Sequence, residues 1–148
     1  MPVNPDLVGR AFAPTAPYLV GREKVREFAR AVLATDPQHT DPEAARALGY
    51  ADVVAPPTFA MVIQDLTLQQ LLAEPDSGIA LERTIHAEQR FRYTRPIVAG
   101  DELTAQLAIT GVRAVGKGAM VTSEAEIRDA AGEHVVTATS ILLIGGEE

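Results

Sequence analysis

In "EKVREFARAVLA" the apolar residues fall at Val25, Phe28, Ala29, Val32 and Leu33. Steps of three and four residues place them on one helical face, with Glu23, Arg26, Glu27 and Arg30 opposite. A short second helix is predicted from Asp41. Asp41 is a favoured N-cap, Pro42 suits the first helical position, and Gly49 suits the left-handed residue beyond the end. "PPTFAMVIQDLTLQQLLAE" predicts a third helix, in which Phe59, Met61, Val62, Ile63, Leu66 and Leu68 cover almost every side. A helix apolar all round is a buried helix. "EPDSG" is the turn that ends it.

After Gly78 the period changes from 3.6 to 2. From 81 to 93 the odd positions carry Leu81, Ile85, Ala87, Phe91 and Tyr93, interrupted by Arg83 and Gln89, while the even positions are polar throughout. That alternation predicts a strand with its odd side buried. "DELTAQLAIT", "AMVTSEAEIR" and "EHVVTATSILLI" predict three more strands, the first with Leu103, Ala105, Leu107 and Ile109 inward. Short joins of turn residues predict an antiparallel meander, with "PYLV" adding an early edge strand. The expected class is α+β: an antiparallel sheet wrapped around one buried helix, with two smaller helices beside it. Such a sheet leaves faces and edges uncovered, which predicts a dimer.

Composition narrows the function classes. The chain has 148 residues, 47% hydrophobic and 22% charged, as expected for one soluble domain spanning 1–148. A net charge of −7 speaks against a nucleic-acid partner and against an anionic membrane surface. There is no cysteine, hence no disulfide, thiol catalysis or thiolate-bound metal. His39, His86 and His134 form no H-x-x-x-H pair, so no metal and no cofactor is expected. No signal peptide and no apolar run near 18 residues is visible, and a cytoplasmic location is the expectation.

The chemistry concentrates in "AVLATDPQHTDPEAARALGYADVVAPPTF", residues 31–59. Asp36, His39 and Asp41 lie close together, followed by Pro56 and Pro57 at the mouth of the apolar helix. Asp36 and His39 are three residues apart across a proline turn, a spacing that allows contact.

Three phrases, "VGREKVREFARAV", "DPEAARALGYADVVAPPTF" and "HAEQRFRYTRPIVAGDEL", resemble the MaoC-like hot-dog dehydratases and hydratases over nearly the whole chain. Within that family they are similar to the small single-domain N-terminal type, which includes the non-catalytic subunits of the mycolic-acid 3-hydroxyacyl dehydratase. The resemblance implies a hot-dog fold and an acyl-CoA or acyl-ACP substrate. Catalytic members carry G-D-x-N-P-x-H-x-D, with Asp and His five residues apart, and a Gly-containing turn that opens the central helix. Adding water to an enoyl thioester needs a base for water, an acid for the α-carbon, and donors where enolate charge develops. His39 matches the family histidine and Asp41 the final aspartate. Ala34 stands where the catalytic acid belongs, Asp36 stands at the asparagine, and Pro56 and Pro57 replace His-Gly. Proline has no N–H, so donors for the thioester oxygen must come from Thr58, Phe59 and beyond.

The candidate set is therefore His39 and Asp36 for catalysis, and Pro57, Thr58, Phe59 and Val62 for substrate binding. The leading expectation is a hydratase/dehydratase subunit that binds the acyl chain. A hot-dog paralogue with the intact dyad supplies the chemistry, in a homodimer or heterodimer. Three rivals stand beside it: a self-sufficient homodimer using His39 with Asp36, a silent acyl-thioester binder, and a thioesterase using Asp65. Plainer readings exist for each residue. His39 also suits an exposed turn, Asp41 an N-cap, and Asp65 a polar gap or partner chain. Arg90, Arg92 and Arg95 suit either the phosphates of a carrier or a solvated strand face. Asp101 reads as a turn-former, His86 as a solvated or interface residue, and His134 is assigned no chemistry.

Overall fold

The computed structural model describes residues 1–146; positions 147 and 148 of the expected 1–148 domain lie outside them. Three α-helices, α1 (Arg22–Ala31), α2 (Pro42–Ala47) and α3 (Ala60–Ala73), accompany five strands: β1 (Tyr18–Leu19), β2 (Thr84–Tyr93), β3 (Glu102–Val115), β4 (Gly118–Arg128) and β5 (His134–Ile144). All strand pairs are antiparallel, in the order β1-β3-β4-β5-β2. β3, β4 and β5 form the predicted meander, and β1 adds the predicted edge on β3. β2 departs from it. Residues 94–101 carry the chain across the end of the sheet, so β2 pairs with β5 and is separated from β3 by two strands. This is the hot-dog architecture, a curled five-stranded antiparallel sheet around a central helix.

The sheet curls because three ladders are interrupted, between His86 and Glu88, Ile109 and Gly111, and Ile127 and Arg128. Bulges increase local twist and bend the strand. α3 lies in the resulting trough. Around its first half, Phe59, Ala60 and Ile63 pack with Leu103, Ala105, Ala125, Ile127, Val136 and Ala138. Alanines at facing positions let helix and sheet approach closely. Around its second half, Leu71 packs with Leu107, Ile109, Val121, Leu142 and Ile144, closed by Leu7 and Phe12 from the N-terminal segment. Among the described residues no helix is long and apolar enough to cross a membrane.

Several local expectations change. α1 stops at Ala31, and its buried face is Val25 and Ala29, with Phe28 packed beside them. Val32 and Leu33 are exposed, because Leu33 takes the left-handed conformation (φ 58°) that ends the helix. α2 begins as predicted: Asp41 accepts from the Glu43 amide at 2.9 Å, and Gly49 has φ 93°. α3 is not buried all round, since Asp65, Gln69 and Ala73 form an exposed stripe on the side away from the sheet. In β2 the odd-inward pattern holds only after the bulge at Ala87. Before it, His86 pairs with the buried Leu142, while Ile85 is 66% exposed; Leu81 sits in a single turn ahead of the strand, 60% exposed. One extra residue flips which side faces in.

Candidate active site

The crossing segment after β2 builds the site. Ala55 N–H donates to Ile97 O (2.8 Å) and Ala99 N–H to Val53 O (3.0 Å), so residues 53–55 and 97–99 run as a short antiparallel pair. Its turn is held as predicted by Asp101, whose carboxylate accepts from Val98 N–H at 2.9 Å. Arg95 grips the same carboxylate and that of Asp129. At the other side Arg22, at the start of α1, holds Asp52 through two contacts of 2.9 and 2.7 Å. That guanidinium keeps the Asp52 carboxyl low, at about 2, with the Val53 amide adding to it against partial burial.

The pair carries the loop with His39. Val54 N–H donates to Gln38 O (2.9 Å), and Nδ1 of His39 lies 2.6 Å from Val54 O. A carbonyl only accepts, so Nδ1 carries a proton, and in the neutral ring Nε2 holds the lone pair. His39, Val54, Ala55, Pro57, Tyr93, Thr94, Arg95 and Pro96 line a pocket of about 280 Å³, mostly apolar. Tyr93 closes it against the helix: its hydroxyl donates to Pro57 O and meets the Ala60 amide. Burial pushes this phenol up to about 12.

The predicted residues separate into groups. His39 and Pro57 share the pocket. Asp36 caps the single turn 37–39 through its backbone; its carboxylate is exposed and makes no hydrogen bond to His39. At the mouth of α3, Phe59 N–H is taken by Pro56 O (2.9 Å), and Ala60 N–H turns to Thr58 O beside the Tyr93 hydroxyl. The amide of Thr58, an exposed residue, has no partner among the described residues. Phe59 is fully buried, edge-on to Phe28 at 5.3 Å, and Val62 packs against the core. Ala34 offers no acid.

A second polar group lies along α3. Gln64 Nε2 donates to Ser140 Oγ (2.8 Å), Ser140 to Gln89 Oε1 (2.5 Å), and Gln89 Nε2 back to Gln64 Oε1 (2.8 Å). This closed ring borders a cavity of only about 50 Å³ that Asp65 and His86 also line. The sequence signalled it only as polar interruptions, Gln64 within an apolar helix and Gln89 at an inward position. His86 borders this cavity through the bulge, and its side chain stays exposed, as expected of it. Asp65 lies on the exposed stripe.

Fold and pocket together define a hot-dog protein of the dehydratase/hydratase class. A family model, the FAS1-like dehydratase domain region, matches residues 6–138, and the chain belongs to that family. It is 63% identical over 148 residues to a UPF0336 protein of Clavibacter michiganensis subsp. michiganensis, covering 100% of this chain and 99% of the relative. Among solved structures it is similar to the C-terminally truncated HadBC (3R-hydroxyacyl-ACP dehydratase) complex from Mycobacterium tuberculosis. That match has 32% identity and a TM-score of 0.75, covering 89% of this chain and 92% of that one. It is also similar to a MaoC-like dehydratase, with 38% identity and a TM-score of 0.83, covering 94% of this chain and 42% of that one.

Proposed function

We propose that this chain is a subunit of a (3R)-hydroxyacyl-thioester dehydratase, binding the acyl thioester while a partner hot-dog chain supplies the intact Asp–His dyad. The observation that carries this reading is the half-furnished site. His39 stands at the pocket with a free Nε2, but Ala34 occupies the acid's position and the Asp36 carboxylate points to solvent. Dehydration removes the α-proton to a base, develops enolate charge on the thioester oxygen, and expels the 3-hydroxyl as water after protonation. His39 can serve one of these proton positions; among the described residues no carboxylate lines the pocket beside it to serve the other. For the enolate, the Thr58 amide is the open donor at the start of α3, because prolines fill the two preceding positions. Pro57 and Tyr93 wall the pocket for an apolar chain, and the buried Phe59 and half-buried Val62 back it.

The partner argument rests on uncovered apolar surface. β2 is a free sheet edge beside exposed Leu81 and Ile85, and half-buried Met61, Leu66, Leu68 and Leu72 flank the exposed stripe of α3. Edges of this kind are covered in stable proteins. The likeness to HadBC, a complex of hot-dog chains, supports a paralogue as occupant. Co-expression with a dyad-bearing paralogue, followed by size-exclusion chromatography, tests this. A stable co-eluting complex is expected; separate elution of the two chains contradicts it.

A further inference from the structure

A line of hydrogen-bonded side chains runs across the outer face of the sheet and ends at the pocket. The hydroxyl of Thr94, the residue after β2, is 2.6 Å from Nδ1 of His134. Nε2 of His134 is 2.7 Å from Thr137 Oγ1, and Thr137 Oγ1 donates to Glu126 Oε1 at 2.7 Å. Glu126 Oε2 lies 3.8 Å from the same ring nitrogen, and Arg128 approaches Glu126 at 3.4 Å.

With a neutral imidazole the protons have one arrangement. A carboxylate only accepts, so Thr137 gives its proton to Glu126. The Thr137 oxygen then accepts, which puts the imidazole proton on Nε2. Arg92, donating to the same oxygen at 3.4 Å, fits that role. Nδ1 of His134 carries the lone pair and takes the hydroxyl proton of Thr94. Thr94 therefore has no proton to offer the pocket it lines, but keeps an open lone pair. Its neighbours Tyr93 and Arg95 are committed, Tyr93 to Pro57 and Arg95 to Asp101, Asp129 and Pro96 O, while His39 keeps its Nε2 for the pocket.

The geometry points to Thr94 as an acceptor for a secondary amide N–H of the ligand, oriented for that purpose by His134. This rests on the acyl-thioester reading above. CoA and carrier proteins present their acyl group on the same pantetheine arm, which carries an amide N–H two carbons from sulfur. An apolar pocket with an oriented hydroxyl acceptor at its wall, in addition to the His39 ring, suits that arm. His134 is a positioning residue, since it acts on the ligand only through Thr94.

The test uses S-butyryl-N-acetylcysteamine, which holds a single amide N–H at that spacing, and its N-methyl analogue. Both are titrated into the purified protein and followed by NMR. The wild type should prefer the N–H form by about 5- to 10-fold, the worth of one hydrogen bond. Thr94→Val should erase the preference and Thr94→Ser retain it. His134→Asn keeps an oxygen near the Nδ1 position and should retain it. His134→Gln keeps a donor near the Nε2 position, offers Thr94 nothing, and should lose it. A preference that survives Thr94→Val is steric and overturns the inference, as does retention in His134→Gln with loss in His134→Asn. Butyryl-CoA is titrated in parallel. If it binds while Thr94→Val changes nothing, the inference fails alone; if no thioester binds, the reading beneath it fails too.

Discussion

The hydroxyl of Tyr93, at the end of β2, donates to the carbonyl of Pro57, at the start of the central helix. This contact spans the pocket mouth and fixes the helix relative to the crossing segment. Both residues line the pocket that His39 also lines, so the contact fixes the shape of its wall.

Tyr93→Phe should destabilise the fold by about 1 kcal/mol at neutral pH, the net worth of one hydrogen bond. It should also change the alkaline limb. Burial raises the folded phenol to about 12 against an unfolded value of about 10. A raised pKa contributes stability that is complete below pH 10 and lost as pH rises through 12. Urea midpoints of wild type and variant should therefore draw together above pH 10 and cross before pH 12. A constant gap across that window would contradict the assignment.

Ser140→Ala opens the ring that joins α3 to β2 and β5. It leaves Gln64 Nε2 with the weaker 3.4 Å contact to Ala138 O and removes the donor to Gln89 Oε1. Stranding buried amide atoms should cost about 1–3 kcal/mol, measured by denaturant melts. A loss below about 0.5 kcal/mol would mean that water substitutes for the hydroxyl.

The pattern of the sequence revealed α2, α3, the edge strand β1 and the meander of β3 to β5, whose irregularities at Ile109/Gly111 and Ile127/Arg128 leave a regular run of alternation in each strand. It misled at β2 for one physical reason. The bulge at Ala87 inverts the alternation, and no turn residue marks it. The placement of β2 beside β5 was equally hidden, since "AGD" is a turn in either topology. In the site, the cap at Asp41 was legible from its residue type, and His39, a candidate through the family resemblance, lines the pocket. It could not tell that the Asp36 carboxylate points away, nor that His134 reaches Thr94 from a strand 40 residues later.

Ile85→Lys places a charge on the free edge of β2, where the side chain is exposed in the isolated chain. It should leave the fold intact and break the oligomer. Light scattering of the wild type at micromolar concentration should give a mass at or above twice 15.8 kDa, about 31.6 kDa, and the variant a mass near 15.8 kDa. A monomeric wild type would remove the basis for a partner at this edge.

The central claim is that this chain binds the thioester but lacks half of the acid–base pair. The most direct measurement is enoyl-CoA hydration by the purified chain alone, with wild type, His39→Ala and Asp36→Asn compared. Turnover at or near background is expected for all three. Activity should appear when a dyad-bearing paralogue is added, with only a small effect of His39→Ala. Rapid turnover by the chain alone, falling by the roughly 10²–10⁴-fold typical of a general acid–base group in His39→Ala or Asp36→Asn, would contradict the account.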